Sequence, residues 1–360
     1  MITRSQTAAM QRQTVTRNGI INVGNSCYMN VILQMILSIT PVSCSIQKAA
    51  PEPGSLGHYL VNMSRSIYAN SNKLALYQNA KRFYDRMILD SNGMFEAGSQ
   101  ADSHDLFLYL LDKLHDNFKQ PDASASVSNS KLKCNSIYYK SLAYQVENIN
   151  RNKFSVLQNE FQGVYASTFV CHNCGHSSIK YELFSSIQLH LKSDENTLVS
   201  CLQDFAQPEK IPGFLCEKCN VKGDITKKIV IAVTPPTLVC QFKRFEYTET
   251  GVVQKITSVI KYPARVDFDA VIPDLMLHDR DGTSVHNDYS LVGIIHHQGS
   301  YFGGHYVIEM KDPVNNKWVL CDDDTCTDTL DKLTDISTLA SSAVYLLVYR
   351  KNPKPVITLG

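Results

Sequence analysis

A small set of cysteine, histidine and aspartate side chains could carry out thiol-dependent hydrolysis. Cys27 lies in the stretch Gly19-Ile-Ile-Asn-Val-Gly-Asn-Ser-Cys-Tyr-Met-Asn, where a glycine-containing loop gives way to a predicted helix. Unpaired backbone N–H groups and the positive end of the helix dipole favour an anion at such a junction. The position therefore predicts a lowered pKa for the Cys27 thiol and a nucleophilic thiolate. The alternative is that Cys27 is simply a small core residue.

A cysteine nucleophile needs a histidine that exchanges its proton and a third group that orients the histidine. His305 follows Gly303 and Gly304 at the start of a predicted strand, and Asp322 ends the next predicted strand 17 residues later. If the two strands pair antiparallel, the start of one lies beside the end of the other, so Asp322 can hold the imidazole of His305. The alternative is a hairpin with a solvated acidic turn.

Polar side chains near two predicted helix starts suggest further roles. Asn22 precedes Cys27 by five residues, so its amide could donate to the oxyanion of a tetrahedral intermediate. Alternatively, Asn22 hydrogen-bonds its own backbone in a turn. Asp102 and Asp105 lie in the first turns of a predicted amphipathic helix, and the spacing from Ser99 to Asp102 resembles a capping box. Taken alone, these carboxylates could simply complement the helix dipole.

Four cysteines form two C-x-x-C pairs, a spacing typical of a metal site. The pairs are 41 residues apart and consist of Cys171 with Cys174 and Cys216 with Cys219. Two such pairs supply four thiolates to one tetrahedral zinc ion and leave no open position, so we predict a structural zinc that joins the tips of two β-hairpins. A redox C-x-x-C would need a thioredoxin-like βαβ context, which the surrounding pattern does not offer.

Composition limits the class of protein. The chain has 360 residues, of which 44% are hydrophobic and 19% charged, as in an ordinary globular protein. A formal net charge of +1 gives no reason to expect nucleic acid or an anionic membrane as partner. No apolar run approaches the roughly 18 residues of a spanning helix. Eleven cysteines without a secretory signal predict free thiols and metal ligands, not a disulfide framework, in a reducing compartment. We therefore expect a cytoplasmic or nuclear location, or both.

Apolar periodicity predicts that helices precede strands. One predicted helix begins at about Cys27. Two further helical segments are predicted over roughly 59–89 and 100–114. From about Phe161 the pattern changes to short β-like runs, which cover residues 167–171, 177–191, 227–233, 238–245, 289–296, 305–311, 317–321 and 343–350. Helices first and strands later indicate an α+β fold.

Three segments are predicted to lie outside the folded core. Residues 1–18 are polar and contain three arginines without an acidic residue, which favours a disordered leader over a mitochondrial presequence. Residues 119–150 include a Ser/Ala/Asn-rich stretch that we interpret as a flexible excursion. Residues 351–360 are expected to form a C-terminal tail.

Taken together, these motifs resemble the catalytic domain of the ubiquitin-specific proteases, a family of papain-like cysteine deubiquitinases. The resemblance extends from about Gly19 to Arg350. It rests on the Cys27 stretch quoted above, on the two C-x-x-C pairs, and on five further segments. These are Gln100-Ala-Asp-Ser-His-Asp, Pro236-Thr-Leu-Val-Cys-Gln-Phe-Lys-Arg-Phe, Tyr289-Ser-Leu-Val-Gly-Ile-Ile-His-His-Gln-Gly-Ser-Tyr-Phe-Gly-Gly-His-Tyr, Trp318-Val-Leu-Cys-Asp-Asp-Asp and Tyr345-Leu-Leu-Val-Tyr-Arg.

The resemblance implies a papain-like fold with fingers, palm and thumb in a catalytic domain over 19–350. The helical thumb would cover about 19–118, the zinc-tipped fingers about 161–243, and the palm mainly about 244–350. Ubiquitin and ubiquitinated proteins would be the partners. One structural zinc ion is implied, and no catalytic cofactor.

The resemblance also implies roles for individual residues. Cys27 would attack the carbonyl of the last glycine of ubiquitin, Asn22 would support the oxyanion, and His305 would act as base and acid. Asp322 would orient His305, with Asp323 assisting. The residues implied to bind the tail of ubiquitin, or to form the mobile loop beside it, are Asp102, Asp105, His297, Gly303 and Gly304.

Two other functions remain open at this point. One is a protease for a ubiquitin-like modifier, which would keep the same chemistry and change the substrate. The other is a catalytically silent ubiquitin-binding scaffold, which would be signalled by a missing member of the triad. We expect a deubiquitinase that is a monomer.

Overall fold

The computed structural model describes residues 17–69, 71–120, 154–192, 196–248, 250–273, 287–301, 303–313, 316–329 and 338–353. The predicted leader over 1–18 lies outside the described residues except for its last two positions. The predicted excursion lies outside them beyond Gln120, and the predicted tail lies outside them beyond Pro353.

Helices dominate the N-terminal part of the described chain. In chain order they are α1 Cys27–Ser38, α2 Thr40–Lys48, α3 Leu56–Tyr68, α4 Lys73–Asp90, α5 Ser103–Phe118, α6 Val156–Phe161, α7 Leu198–Phe205 and α8 Phe268–Val271. The segment predicted as one helical stretch over 59–89 is two helices. The chain leaves the helical conformation after α3, and the side chain of Asn72 then caps the start of α4.

Helix α1 is buried along its entire length. All twelve of its residues are buried, which is typical of a helix enclosed by other elements on every side. Pro41 follows the helix as the sequence predicts, but it does not merely end α1. It lies in the first turn of α2, where a missing backbone N–H is tolerated.

Helix α5 begins later than the sequence predicts. Asp102 is its N-cap, and the carboxylate of Asp102 accepts hydrogen bonds from the backbone N–H groups of His104 at 2.7 Å and Asp105 at 3.3 Å. The capping box predicted from Ser99 to Asp102 is therefore wrong, because the carboxylate that was assigned to its last position is itself the cap.

The remaining elements are strands, most of them in the C-terminal half. They are β1 Lys119–Gln120, β2 Phe154–Ser155, β3 Gly163–Cys171, β4 Ser177–Phe184, β5 Ile187–His190, β6 Asn196–Thr197, β7 Glu209–Leu215, β8 Lys222–Val233, β9 Thr237–Lys243, β10 Phe245–Tyr247, β11 Val253–Lys255, β12 Ile260–Pro263, β13 Arg265–Asp267, β14 Asp288–Gly299, β15 Gly304–Lys311, β16 Trp318–Asp322, β17 Thr325–Asp328, β18 Thr338–Ser341 and β19 Val344–Lys351.

The largest sheet has the order β17-β16-β15-β14-β19-β9-β5, with β13 paired to β14. Its strands are antiparallel except for the parallel pair β5 and β9. On β19, Leu346 and Val348 join the apolar core shared with α1–α6, whereas Leu347 and Tyr349 join a second core on the opposite face of the sheet. Burial on both faces explains why this strand is continuously apolar in sequence.

A second sheet has the order β4-β3-β8-β7 and carries the four paired cysteines at the ends of its strands. Strands β5 and β9 lie within the range predicted for the fingers, yet they pair into the largest sheet. The smaller sheets are β18-β12-β6, β1-β2 and β10-β11.

One pair of cysteines differs from the expectation that the thiols are free or bind metal. Eight described cysteines are free, but Cys321 and Cys326 form a disulfide across the β16–β17 hairpin. This pair was not predicted, because the cysteines outside the C-x-x-C motifs were expected to be free thiols.

Membrane-spanning helices need both length and apolar character. Among the described helices, none by itself has enough of both, and one pair has them jointly, α1 with α2, which is bent by 93°.

Candidate active site

Cys27 is the first residue of α1, and the loop before it is held by its own side chains. Asn22 Oδ1 accepts hydrogen bonds from the backbone N–H groups of Gly24 at 3.2 Å and Ser26 at 3.0 Å. Gly24 and Asn25 have φ angles of 118° and 53°, in the left-handed region that these two residue types tolerate. The loop therefore presents Cys27 at the helix start in a fixed geometry.

Burial reverses the predicted direction of the Cys27 pKa. Cys27 is 3% exposed, and desolvation raises the pKa of its thiol above the ordinary value. A hydrogen bond from the backbone N–H of Tyr306 opposes this rise, and the charge of Asp323 adds to it. The lowered pKa expected from the helix start alone is wrong for this structure, because the loss of solvent outweighs the nearby N–H groups.

His305 and Asp322 meet at the end of the largest sheet. Strands β15 and β16 are antiparallel, so the start of one lies beside the end of the other. His305 Nε2 and Asp322 Oδ1 are 2.6 Å apart. The next residue after His305 is Tyr306, whose backbone N–H contacts the Cys27 thiol. The structure thus brings the predicted nucleophile, histidine and aspartate into one site.

Asp323 binds the loop of the nucleophile and not the imidazole. Its Oδ2 accepts a hydrogen bond of 2.8 Å from Asn22 Nδ2, and its Oδ1 accepts one of 2.7 Å from Asn30 Nδ2. Its carbonyl oxygen accepts from the backbone N–H of Ile20 at 2.8 Å. Asn30 was missed by the sequence analysis, although it lies within the quoted Cys27 stretch, one helical turn beyond the thiol.

A cleft of about 720 Å³ leads to this site. Residues from the helical part of the chain and from its strand-rich part line it, including the predicted substrate-binding residues Asp102, Asp105, His297 and Gly303. The carboxylates differ in their surroundings. Asp102 also accepts a hydrogen bond from the Tyr345 hydroxyl, whereas Asp105 is exposed and partial desolvation raises its pKa.

Gln100 lines the cleft beside the histidine strand and was not predicted as a site residue. Its Nε2 donates to the carbonyl oxygen of Gly304 at 2.7 Å, and its Oε1 accepts from the backbone N–H of Gly304 at 2.7 Å. The side-chain amide therefore pairs with both backbone groups of the residue before His305. Gln100 begins one of the quoted segments, which was the available signal.

His297 lies behind this strand in an aromatic environment formed with Phe245, Tyr306 and Tyr345. Desolvation lowers the pKa of His297 to about 4, so the ring is neutral near pH 7. A Cβ on Gly304 would overlap His297 Nε2, so a glycine is required at 304. Because Gly304 precedes His305, this packing sets where the histidine strand begins.

The four paired cysteines meet at the end of the β4-β3-β8-β7 sheet. Their sulfur atoms all lie within 4.8 Å of one another. Gly175 and Asn220, the residues after each C-x-x-C pair, have φ angles of 68° and 55° and turn the chain back toward the first cysteine of the pair. Hydrogen bonds from the Asn173 side chain and the Val221 backbone lower the pKa of the Cys219 thiol to about 6. This donor set fits a tetrahedral zinc ion.

A thiol at a helix start, beside the strand that carries a histidine held by a carboxylate, brings together the groups that cysteine proteases use. The sequence model of the ubiquitin carboxyl-terminal hydrolase family matches residues 18–349. The chain therefore belongs to the ubiquitin carboxyl-terminal hydrolase family, and the recognition of a ubiquitin-specific protease catalytic domain is confirmed.

Several curated relatives carry the name of this family. Ubiquitin carboxyl-terminal hydrolase 4 of Saccharomyces cerevisiae is 26% identical over 369 residues, which cover 92% of this chain and 39% of the relative. Ubiquitin carboxyl-terminal hydrolase Usp2 of Drosophila melanogaster is 25% identical over 344 residues, which cover 92% of this chain and 34% of the relative. The chain thus spans less than half the length of these relatives.

Solved structures support the fold. The SAGA DUB module of Ubp8, Sgf11, Sus1 and Sgf73 bound to monoubiquitin contains a chain with a TM-score of 0.71 and 21% identity, covering 94% of this chain and 70% of that one. The same module bound to ubiquitin aldehyde gives a TM-score of 0.70 at 21% identity, with coverage of 97% and 73%. The predicted α+β ubiquitin-specific protease fold is confirmed by these similarities.

Proposed function

We propose that this protein is a thiol-dependent deubiquitinase that hydrolyses the peptide or isopeptide bond after the C-terminal glycine of ubiquitin. The observation that carries the proposal is the hydrogen-bonded pair of His305 and Asp322 on the strand whose next residue, Tyr306, donates its backbone N–H to Cys27 and lines the cleft. Membership of the ubiquitin carboxyl-terminal hydrolase family supplies the substrate class.

The proposed mechanism begins with proton transfer from Cys27. Asp322 holds Nε2 of His305, so Nδ1 is the ring nitrogen left to accept the thiol proton. The sulfur then attacks the carbonyl carbon of the last glycine, and the imidazolium returns its proton to the leaving amine. Water, activated by the same imidazole, hydrolyses the acyl-enzyme and frees Cys27.

Asn22 is proposed to stabilise the oxyanion. Its Nδ2 carries two hydrogens, and one is already donated to Asp323, so the second can reach an oxyanion formed above Cys27. Asp323 then acts as a positioning residue for Asn22. This differs from a role in which Asp323 assists His305, because its carboxylate oxygens are directed to Asn22 and Asn30.

The cleft fits an extended, cationic chain that ends in small residues. Asp105 offers an exposed carboxylate at its wall, and Asp102 offers one that is already anchored by the Tyr345 hydroxyl and helix α5. Gly303 leaves room for backbone near His305, because nothing lies within 4 Å of the position its Cβ would take. We propose that the C-terminal tail of ubiquitin lies here, with arginine side chains toward the two carboxylates.

We also propose that Cys171, Cys174, Cys216 and Cys219 hold one structural zinc ion, and that the hydrolysis itself uses no cofactor. A zinc ion bound to four thiolates would tie the end of β3 to the β7–β8 hairpin and has no position for a substrate. Cytoplasm or nucleus is the proposed location, because thiolate ligands are kept reduced there.

A ubiquitin–fluorophore assay tests the function. We expect turnover by the wild type and none by Cys27→Ala, and undiminished turnover in that variant would overturn the assignment of the nucleophile. Parallel reactions with ubiquitin-like probes distinguish the second candidate, a protease for a ubiquitin-like modifier. A chain that binds ubiquitin without turnover would instead be a silent scaffold.

A further inference from the structure

The turn that carries both aspartates is closed by a disulfide. Cys321 and Cys326 are directly opposite each other in the β16–β17 register, and their sulfur atoms are bonded. The six-residue ring they close contains Asp322 and Asp323, the partners of His305 and Asn22. The disulfide therefore closes a ring that contains the two carboxylates that contact the rest of the site.

The two sulfur atoms differ in access. Cys321 is 2% exposed and belongs to the apolar core shared by α1 and the largest sheet, whereas Cys326 is only partly buried. Cys326 Sγ also lies 3.9 Å from the side-chain amide of Gln34 on α1. A small thiol or disulfide from solution can thus reach Cys326 first, and Cys321 is placed to complete the exchange.

We propose that Cys321 and Cys326 form a reversible thiol–disulfide site that reacts with low-molecular-weight disulfides of the glutathione class. In the oxidising direction, the Cys326 thiolate attacks one sulfur of glutathione disulfide and releases one glutathione. The Cys321 thiolate then attacks Cys326 Sγ and releases the second glutathione. Two protein thiols lose two electrons and two protons, and one glutathione disulfide becomes two glutathione thiols.

The structural consequence concerns the aspartate turn. Cross-linking a hairpin removes conformational freedom from the residues it encloses. In the oxidised form, Asp322 and Asp323 are held where they contact His305 and Asn22. In the reduced form, backbone pairing of β16 with β17 persists, but the turn samples more conformations, so a smaller fraction of molecules has the histidine correctly oriented. Oxidation of this pair therefore favours the active geometry.

A redox titration tests the site without reference to activity. The full chain is equilibrated in buffers of graded glutathione to glutathione disulfide ratio, and free thiols are alkylated and measured by mass spectrometry. We expect alkylation at Cys321 and Cys326 to be lost together with one midpoint potential and restored by dithiothreitol. The exposed Cys44 is the reference thiol and should have no such paired loss. Failure of Cys321 and Cys326 to pair at any ratio would overturn the proposal.

A second measurement tests the effect on the turn and rests on the proposed deubiquitinase function. We expect reduction of the wild type to lower kcat for ubiquitin–fluorophore about threefold with little change in KM, since the affected group orients a proton-transfer partner. Cys326→Ser should have the kcat of the reduced wild type in every buffer. Cys44→Ser should respond to reduction like the wild type. Equal kcat in oxidised and reduced wild type would overturn the positioning effect.

Two controls separate the possible causes of failure. Oxidation of Cys27 lowers kcat in Cys326→Ser as well as in the wild type, so that variant reports it directly. If no form of the protein turns over substrate, the proposed function is wrong, whereas the alkylation titration still reports on the disulfide. Should Cys326→Ser fail to fold, hydrogen exchange at the amides of residues 322–325 in oxidised and reduced wild type gives the same answer, and equal exchange would contradict the proposal.

Discussion

Asp323 Oδ2 and Asn22 Nδ2 are joined by a hydrogen bond of 2.8 Å, although 301 positions separate the two residues in sequence. This contact links the loop of the nucleophile to the turn that follows β16. Asp322, the residue before Asp323, instead binds the imidazole of His305. Two adjacent carboxylates thus serve two different parts of the same site.

Substitution of the three consecutive aspartates should separate their roles. Asp322→Ala should lower kcat by about 10²–10⁴, because His305 loses the group that fixes its tautomer and orientation. Asp323→Ala should lower kcat by about 10–10², because Asn22 loses its anchor beside the oxyanion. The exposed Asp324, paired with Lys73 at 3.3 Å, is the control, and Asp324→Ala should remain within about twofold of wild type. Equal losses at 323 and 324 would contradict the positioning role.

Loss of the Asp323 side chain should lower kcat, whereas loss of its charge should increase the reactivity of the Cys27 thiol. Burial and the charge of Asp323 both raise the pKa of Cys27, so the thiolate fraction is small at neutral pH and grows as pH increases. Asp323→Asn removes the charge, lowers the thiol pKa and should speed alkylation of Cys27 by iodoacetamide at pH 8. The pH at half-maximal alkylation rate should move downward. An upward shift, or no shift, would show that the charge of Asp323 does not act on the thiol.

The amide of Gln100 should matter through both of its hydrogen bonds. Gln100→Ala removes the donor and the acceptor that pair with Gly304, which should lower kcat/KM about 30-fold at roughly 1 kcal/mol per bond. Gln100→Glu keeps an acceptor for the Gly304 N–H but sets a carboxylate oxygen against the Gly304 carbonyl oxygen, so a loss at least as large as that of the Ala variant is expected near pH 7. Exposed Ser99 provides the matched control as Ser99→Ala. A Glu variant that is much less impaired than the Ala variant would show that the bond to the Gly304 carbonyl oxygen contributes little.

A glycine at the start of the nucleophile's loop should be intolerant of even one methyl group. A Cβ on Gly19 would overlap the backbone carbonyl carbon of Asp324, so the aspartate turn would have to move. Gly19→Ala should lower the free energy of unfolding by about 1–3 kcal/mol and reduce kcat/KM. Gly223→Ala is the control, because nothing lies within 4 Å of the position its methyl group would take. Equal stability and activity of both variants, measured by denaturation and turnover, would exclude this close approach.

Loss of the four-cysteine site should affect substrate binding before it affects the thiol. We expect one zinc ion per chain by metal analysis and none in the double variant Cys171→Ser with Cys216→Ser. That variant should lose thermal stability and bind ubiquitin more weakly, because the end of the β4-β3-β8-β7 sheet would lose its anchor. Alkylation of Cys27 should still proceed. A native protein without zinc would refute the metal assignment.

Local spacing in the sequence predicts much of this site. The helix start at Cys27, the two C-x-x-C pairs and the strand that begins near His305 are all encoded within about a dozen residues each. The contacts of Asn30, Gln100 and Asp323 depend on where distant strands and loops meet, and a single sequence does not specify that. The Cys27 pKa was predicted in the wrong direction because burial is a property of the packed molecule.

The order of the site's residues along the chain has a consequence for biosynthesis. Helix α1 carries the thiol near residue 27, whereas the carboxylates that complete the site follow β16, beyond residue 320. A ribosome adding about 5–20 residues per second makes the thiol many seconds before these carboxylates. During that interval the nascent chain holds a nucleophile without its histidine or its aspartates. Under the proposed mechanism, hydrolysis cannot begin until the strands that carry His305 and Asp322 have been synthesised and have paired.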